Sequence, residues 1–86
     1  MEKSKIRYRS ARPDILPKAP IVEITGQSRL LIENHLGVLG YSLNEIRVSV
    51  GYGSICVTGS DLRLLQMSKE QLVICGRVDA VHLFGR

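Results

Sequence analysis

The side chains with the greatest capacity for chemistry are two histidines, two cysteines and a glutamate close to one of the histidines. Glu33 and His35 are separated by one residue, and as i, i+2 neighbours in a strand they would share a face, as the two members of an acid–base pair do. No convergent pocket is implied around them, and no nucleophile-elbow pattern is present. The sequence therefore predicts that the chain is not an enzyme and has no catalytic residues.

The spacing of the potential metal ligands does not match a metal site. Cys56 and Cys75 are 19 residues apart and His35 and His82 are 47 apart, whereas zinc sites use closely spaced pairs. No Gly-Lys-Ser/Thr follows any glycine, so a phosphate-binding loop is not indicated either. We expect neither a metal nor a cofactor. The two cysteines are expected to be free thiols that fill space in a reducing cytosol, with a disulfide between them as the alternative.

An apolar pattern recurs four times between residues 22 and 83, at a spacing of 16 or 17 residues. Each copy opens with two apolar residues two places apart and continues with a small residue. The opening pairs are Val22 and Ile24, Leu39 and Tyr41, Ile55 and Val57, and Leu72 and Ile74. Such self-similarity predicts repeated units that bury these residues, including Tyr41, against one another.

Glycine follows the small residue in three of the copies, at Gly26, Gly59 and Gly76. This position predicts a turn with a positive φ, and Asn44 is expected to adopt that conformation in the second copy. Residues 60–71 contain a short helix-like pattern, but their leucines keep the phase of a strand and are assigned to one.

Two short strands in each unit give an all-β protein of about eight strands from four quasi-repeats of 16–17 residues. The preferred arrangement is an antiparallel meander folded as a small sandwich or roll, and the alternative is a β-solenoid. Both arrangements leave sheet edges open, which predicts a homo-oligomer.

Residues 1–20 differ from the rest of the chain in charge and in proline content. They contain all three prolines, and six basic side chains against two acidic ones give them a net charge of +4. From residue 21 onward, six basic and six acidic side chains cancel. We therefore divide the chain into a basic leader, residues 1–20, flexible or extended, and a single β domain, residues 21–86. Arg7, Arg9 and Arg12 of the leader are candidates for contact with an anionic surface, and a solubilising tail is the alternative.

Composition also restricts the partners and the compartment. Specific nucleic-acid recognition is not expected, because the β domain is neutral and aromatic residues make up 5% of the chain. No apolar run approaches the roughly 20 residues of a membrane span, and no apolar stretch follows the basic N-terminus as in a signal peptide. An intracellular, cytoplasmic protein is the expectation.

Two neighbouring segments carry a family resemblance: Leu30-Leu31-Ile32-Glu33-Asn34-His35-Leu36-Gly37-Val38-Leu39-Gly40-Tyr41-Ser42 and, after it, Glu45-Ile46-Arg47-Val48. They resemble the YabP/YqfC family of bacterial sporulation proteins, in particular its YqfC branch. The Glu-Asn-His-x-Gly stretch is the most specific part. The resemblance implies a small protein made during sporulation, located in the mother-cell cytoplasm or at the forespore membrane. It also implies a membrane-anchored sporulation protein as partner, and no enzymatic activity.

We therefore expect a non-enzymatic protein–protein interaction or assembly module that self-associates. Asn34, His35 and Gly37 are interaction candidates, because loops carried on a sheet commonly provide contacts, and they are also expected to form a structured corner. The alternative function is binding of nucleic acid or an anionic surface through the basic leader, which includes peripheral contact with a membrane.

Overall fold

The computed structural model describes residues 19–85, which form six β-strands joined by short turns. All strand pairs in this part of the chain are antiparallel, and the sheet order is β1-β2-β6-β5-β4-β3. The all-β prediction is confirmed, and the antiparallel pairing is that of a meander with one crossover rather than of a solenoid. The strands are Ile21–Thr25 (β1), Arg29–Glu33 (β2), His35–Tyr41 (β3), Glu45–Val50 (β4), Gly53–Met67 (β5) and Gln71–Gly85 (β6).

The two longest strands, β5 and β6, each have two arms that pair with different neighbours. The first arm of β5, residues 53–58, pairs with β4 and with the end of β6. Its second arm, residues 63–67, pairs with the first arm of β6, residues 71–75, which also pairs with β2. Side chains from both arms enter one hydrophobic cluster, so the sheet bends back toward itself without closing. This geometry is consistent with the predicted sandwich or roll.

Gly59 and Gly76 lie at the bends of β5 and β6, where the two backbones approach too closely for a side chain. A Cβ on Gly59 would overlap the carbonyl oxygen of Arg77 and lie 3.0 Å from its carbonyl carbon. A Cβ on Gly76 would overlap the carbonyl oxygen of Asp61 and lie 2.9 Å from that carbonyl carbon. The prediction of about eight strands is wrong because these two glycines bend a continuing strand and do not separate two strands.

The turns of the two hairpins bond to these bends in corresponding ways. In each case a backbone N–H at the bend of a long strand donates to a carbonyl in a hairpin turn, over 2.7–3.2 Å. The bonds run from Gly59 to Asn44, from Leu62 to Leu43, from Gly76 to Ser28 and from Val78 to Gln27. The turn of the β1–β2 hairpin is therefore bonded to the bend of β6 in the same way as the turn of the β3–β4 hairpin is bonded to the bend of β5. This twofold correspondence replaces the predicted stack of four quasi-repeats.

The core is aliphatic and lies between the two halves of the bent sheet. Burying such side chains contributes the main favourable free energy of folding, roughly 1.5–3 kcal/mol for each one. Its most deeply buried members are Leu30, Ile32, Ile46, Val48, Ile55, Val57, Leu62, Leu72 and Ile74.

The prediction that the opening pairs are buried is wrong for Ile24, Leu39 and Tyr41. Ile24 is 54% exposed because β1 is an edge strand. Leu39 and Tyr41 are 61% and 55% exposed, because β3 is also an edge strand and its register with β4 shifts between Val38 and Gly40. One extra residue in a strand moves the following side chains to the other face.

The backbone conformations at the turns follow the sequence in part. Gly26 and Gly76 have the predicted positive φ, of 58° and 124°. Gly59 and Asn44 are not among the described residues with positive φ, which include Asn34 and Asp61 at 66° and 54°.

Candidate functional site

Asn34 is the single residue between β2 and β3, the point at which the chain crosses to the opposite edge of the sheet. Its φ of 66° is left-handed, a conformation that asparagine tolerates better than most residues. Its backbone N–H donates to the carbonyl of Glu70 over 2.7 Å, and its Nδ2 donates to the carbonyl of Ala19 over 2.9 Å. Asn34 therefore ties the start of β1 and the β5–β6 turn to one corner.

His35 is buried at this corner, with 7% of its surface exposed. Its Nε2 lies 2.9 Å from the carbonyl oxygen of Ser68, and its Nδ1 lies 3.0 Å from the backbone nitrogen of Gly37. A carbonyl can only accept and a backbone N–H can only donate, so the ring is the neutral tautomer with its hydrogen on Nε2. Both ring nitrogens are thus used within the fold.

Gly37 has a φ of 126°, which side chains larger than hydrogen rarely allow. A Cβ there would meet nothing within 4 Å, so glycine is required by the backbone conformation and not by crowding. The register of β3 with β4 shifts between His35 and Gly37, which brings the N–H of Gly37 onto the ring of His35. The structure therefore places Asn34, His35 and Gly37 together, with two of their side chains bonded to backbone carbonyls.

Glu33 and His35 do not share one strand, as an acid–base pair of i, i+2 neighbours would require. Asn34 separates the two residues into different strands, and both nitrogens of the His35 ring have partners other than Glu33. Among residues 19–85 no group of three or more His, Cys, Asp or Glu side chains is arranged to hold a metal ion.

A second polar cluster, which the sequence did not reveal, lies on the outer face of β4 and β5. The thiol of Cys56 donates to Oε2 of Glu45 over 2.9 Å, and Arg47 donates to the same oxygen over 3.2 Å. The bond from Cys56, with that from Arg47, holds the pKa of Glu45 below its ordinary value. Burial raises the pKa of Cys56, and the bond to Glu45 raises it further. The thiol is therefore kept protonated, which makes it a weak nucleophile.

Both cysteines are free, as predicted. Cys56 is in register with His82, and Cys75 is in register with Arg63 on the other arm of the β5–β6 pair. The Cys56–Glu45 contact was not predictable from spacing, because only the β4–β5 register brings these side chains together.

Replacing Glu45 with glutamine is expected to speed the alkylation of Cys56 by iodoacetamide at neutral pH. Loss of the carboxylate lowers the pKa of the thiol, so a larger fraction is thiolate at a given pH. Mass spectrometry of timed digests measures the rate, with Cys75 in the same chain as the reference. An equal rate for Cys56 in the wild type and in Glu45→Gln would contradict this assignment.

The two edge strands of the sheet, β1 and β3, differ in regularity. β1 pairs with β2 through five consecutive residues without a shift, whereas the pairing of β3 with β4 shifts twice. β1 exposes Ile21 and Ile24, at 49% and 54%. A regular, apolar edge is a template for pairing with another chain, and bulges reduce that tendency.

The remaining candidates, Arg7, Arg9 and Arg12, lie outside the described residues. The stretch from Ala19 to Gly85 also shows no helix with the length and apolar character of a membrane span.

Two comparisons with known proteins find a match. The model of the YabP family matches residues 18–85, a range that includes all six strands and the corner at Asn34. The chain is also 29% identical, over 70 residues, to a Bacillus subtilis (strain 168) protein named Uncharacterized protein YqfC. This alignment covers 81% of the chain and 75% of that relative. No solved structure matches at a significant level.

Proposed function

Because the chain belongs to the YabP family, we propose that it is a non-enzymatic protein of spore formation that works as an assembly module. It pairs with copies of itself through an exposed sheet edge. Two polar side chains support the non-enzymatic part of the proposal. His35 has both ring nitrogens bonded within the fold, and the thiol of Cys56 is kept protonated by its surroundings, so neither is available as a base or a nucleophile.

The observation that carries the proposal is the edge of β1. Its outer side has no strand partner within residues 19–85, its register with β2 is unbroken, and Ile24 is 54% exposed on it. Edge pairing satisfies backbone N–H and C=O groups and covers apolar side chains at the same time. β1 is therefore the pairing edge in this proposal, in preference to β3.

Ile24→Lys is the test, and Leu39→Lys on the other edge is the matched control. A lysine on a pairing edge must be dehydrated when a second strand docks, so we expect the dissociation constant for self-association to rise about tenfold or more. Both side chains are more than half exposed, so neither change removes core packing. Sedimentation across a range of protein concentration measures the effect.

Two results would contradict this proposal. One is a wild-type chain that remains strictly monomeric at high concentration. The other is loss of self-association in Leu39→Lys with Ile24→Lys unaffected, which would transfer the pairing surface to β3.

The proposal extends to a partner and a location. The family resemblance supports a membrane-anchored sporulation protein as the partner and the mother-cell side of the forespore membrane as the site of action. Capture of that membrane protein from sporulating cells by the wild-type chain, compared with Ile24→Lys, separates a partner on this edge from one elsewhere.

The charge of the leader supports a second function, binding of an anionic polymer or surface. Deleting residues 1–18 removes six basic and two acidic side chains and is expected to abolish any salt-sensitive binding while leaving edge pairing intact. Sequence-specific nucleic-acid recognition is not part of this proposal.

A further inference from the structure

The side chains of β1 alternate between the two faces of the sheet. Val22 and Ile24 lie on the core face, opposite two residues of β2 that are fully buried. Ile21, Glu23 and Thr25 lie on the outer face and are exposed. The one charged side chain of this strand is therefore at its centre, on the outer face.

This alternation restricts how a second copy can pair with β1. Directly opposite residues in an antiparallel pair point to the same face, and a slip of one residue moves every side chain of a strand to the other face. In a symmetric pair that keeps both cores on one side of the extended sheet, the twofold axis therefore passes through a residue and not between two residues. Val22, Glu23 and Ile24 are the three central positions that the axis can occupy.

The register centred on Glu23 forms the largest number of pairs. It gives all five residues of β1 a partner in β1 of the other copy, and it brings Ile24 against Val22 on the core face. Centring on Val22 would instead place Pro20, which has no N–H to donate, opposite Ile24. Centring on Ile24 would place Gly26, which belongs to the turn, opposite Val22. Pairing of the complete strand therefore selects Glu23 as the residue on the axis.

This register places the Glu23 carboxylates of the two copies directly opposite each other. The Cα atoms of directly opposite residues are about 4.5–5.5 Å apart, and like charges at this position weaken the pairing. Within one copy, Glu23 lies opposite Leu31 of β2, and the diagonal positions on the same face are Arg29 and Glu33, one of each sign. β2 therefore contributes no net positive charge that would offset the repulsion.

We propose that two copies pair β1 to β1 in the register centred on Glu23, and that the facing carboxylates limit the affinity of this dimer. The inference rests on the proposed function, self-pairing through β1, and adds to it the symmetry of the pair and the residue that regulates its strength. Pairing about a twofold axis uses β1 of each copy once and leaves β3 at both ends of the combined sheet. The assembly formed through β1 is therefore a closed dimer and not a filament.

Mixing two charge forms of the full chain tests the register. Glu23→Lys alone keeps a like-charge pair at the axis, so its homodimer should be about as weak as that of the wild type. A mixture with the wild type places a carboxylate opposite an ammonium group. We expect the dissociation constant of this mixed dimer to be about tenfold below that of either homodimer. Sedimentation with a fluorophore on one of the two chains measures it.

Glu23→Gln removes the repulsion without adding an attraction. We expect its homodimer to bind about fivefold more tightly than the wild type, and salt should reduce this difference because it screens the carboxylates. Glu33→Gln is the matched control. It removes the same charge from the same face, but on β2, with β1 between it and the second copy. Its dissociation constant should differ from that of the wild type by less than about twofold.

Two results would overturn the inference and leave the proposed function in place. In a wild type whose self-association is weakened by Ile24→Lys, these are a mixture with no preference for the mixed dimer and a dissociation constant unchanged by Glu23→Gln. The first is the result expected if β1 pairs with β3 of another copy, because β3 contains no Asp, Glu, Lys or Arg. Chains that remain monomeric in every form, including Glu23→Gln, would overturn both.

Discussion

Gly59→Ala is expected to lower the free energy of unfolding by about 3 kcal/mol or more, because the new methyl group would overlap the carbonyl of Arg77 on the adjacent strand. The obstructing atoms are backbone on both sides, so no side-chain rotation relieves the contact. Gly59 also donates its N–H to Asn44 over 3.0 Å, and any shift of β5 stretches that bond. Small domains have stabilities of about 5–15 kcal/mol, so this loss is a large fraction of the total. Urea-induced unfolding measures it.

Gly40→Ala is the control for this variant. A Cβ at Gly40 would meet nothing within 4 Å and the residue is exposed, so the change should stay within about 0.5 kcal/mol. Equal stability of the Gly59→Ala and Gly40→Ala chains would show that the two long strands are not in close contact at the bend.

His35→Ala is expected to cost about 2–4 kcal/mol in the free energy of unfolding. The change leaves the carbonyl of Ser68 and the N–H of Gly37 without their present partners in a partly buried corner, and each such group costs about 1–3 kcal/mol. The same change removes the ring that fixes the start of β3 against the β5–β6 turn.

Two further substitutions separate the contributions of the ring nitrogens. Glutamine can place its amide nitrogen near the position of Nε2 and keep the bond to Ser68, whereas asparagine can place an oxygen near Nδ1 and keep the bond to Gly37. Each is expected to be less destabilising than His35→Ala. His82→Ala is the control, because this histidine is exposed and should change stability by about 0.5 kcal/mol or less. A destabilisation by His35→Ala no greater than that of His82→Ala would contradict the structural assignment of the corner.

The all-β class and the local turns could be predicted because they depend on nearby residues. Alternating apolar and polar residues identify β4, and Gly26 marks the β1–β2 turn with the expected backbone angle. The corner at Asn34 and Gly37 was also visible, since both residue types are typical of unusual φ values.

The number of strands could not be predicted because it depends on partners far along the chain. In sequence, Gly59 and Gly76 are indistinguishable from turn glycines such as Gly26. Their role is set by the neighbouring strand, which approaches so closely that a bend needs a residue without a side chain. A single-sequence pattern carries no information about which backbone lies opposite.

The candidate site could be predicted in position but not in its contacts. His35 was identified as a candidate, but its partner Ser68 is 33 residues away. The bond is to the backbone carbonyl of Ser68, which any residue type would provide, so the spacing of side chains does not indicate it. Tyr41 was misplaced for a related reason, since the shift between Val38 and Gly40 in β3 changes the phase of the strand without changing the composition of the segment.

The sheet order also has a consequence for the growing chain. Of the six described strands, β6 is synthesised last, and both β2 and β5 use it as a neighbour. The β1–β2 hairpin is synthesised before β6, yet its place in the sheet does not exist until this fifteen-residue strand has followed. The order of synthesis is therefore not an order in which the sheet can be completed from one end.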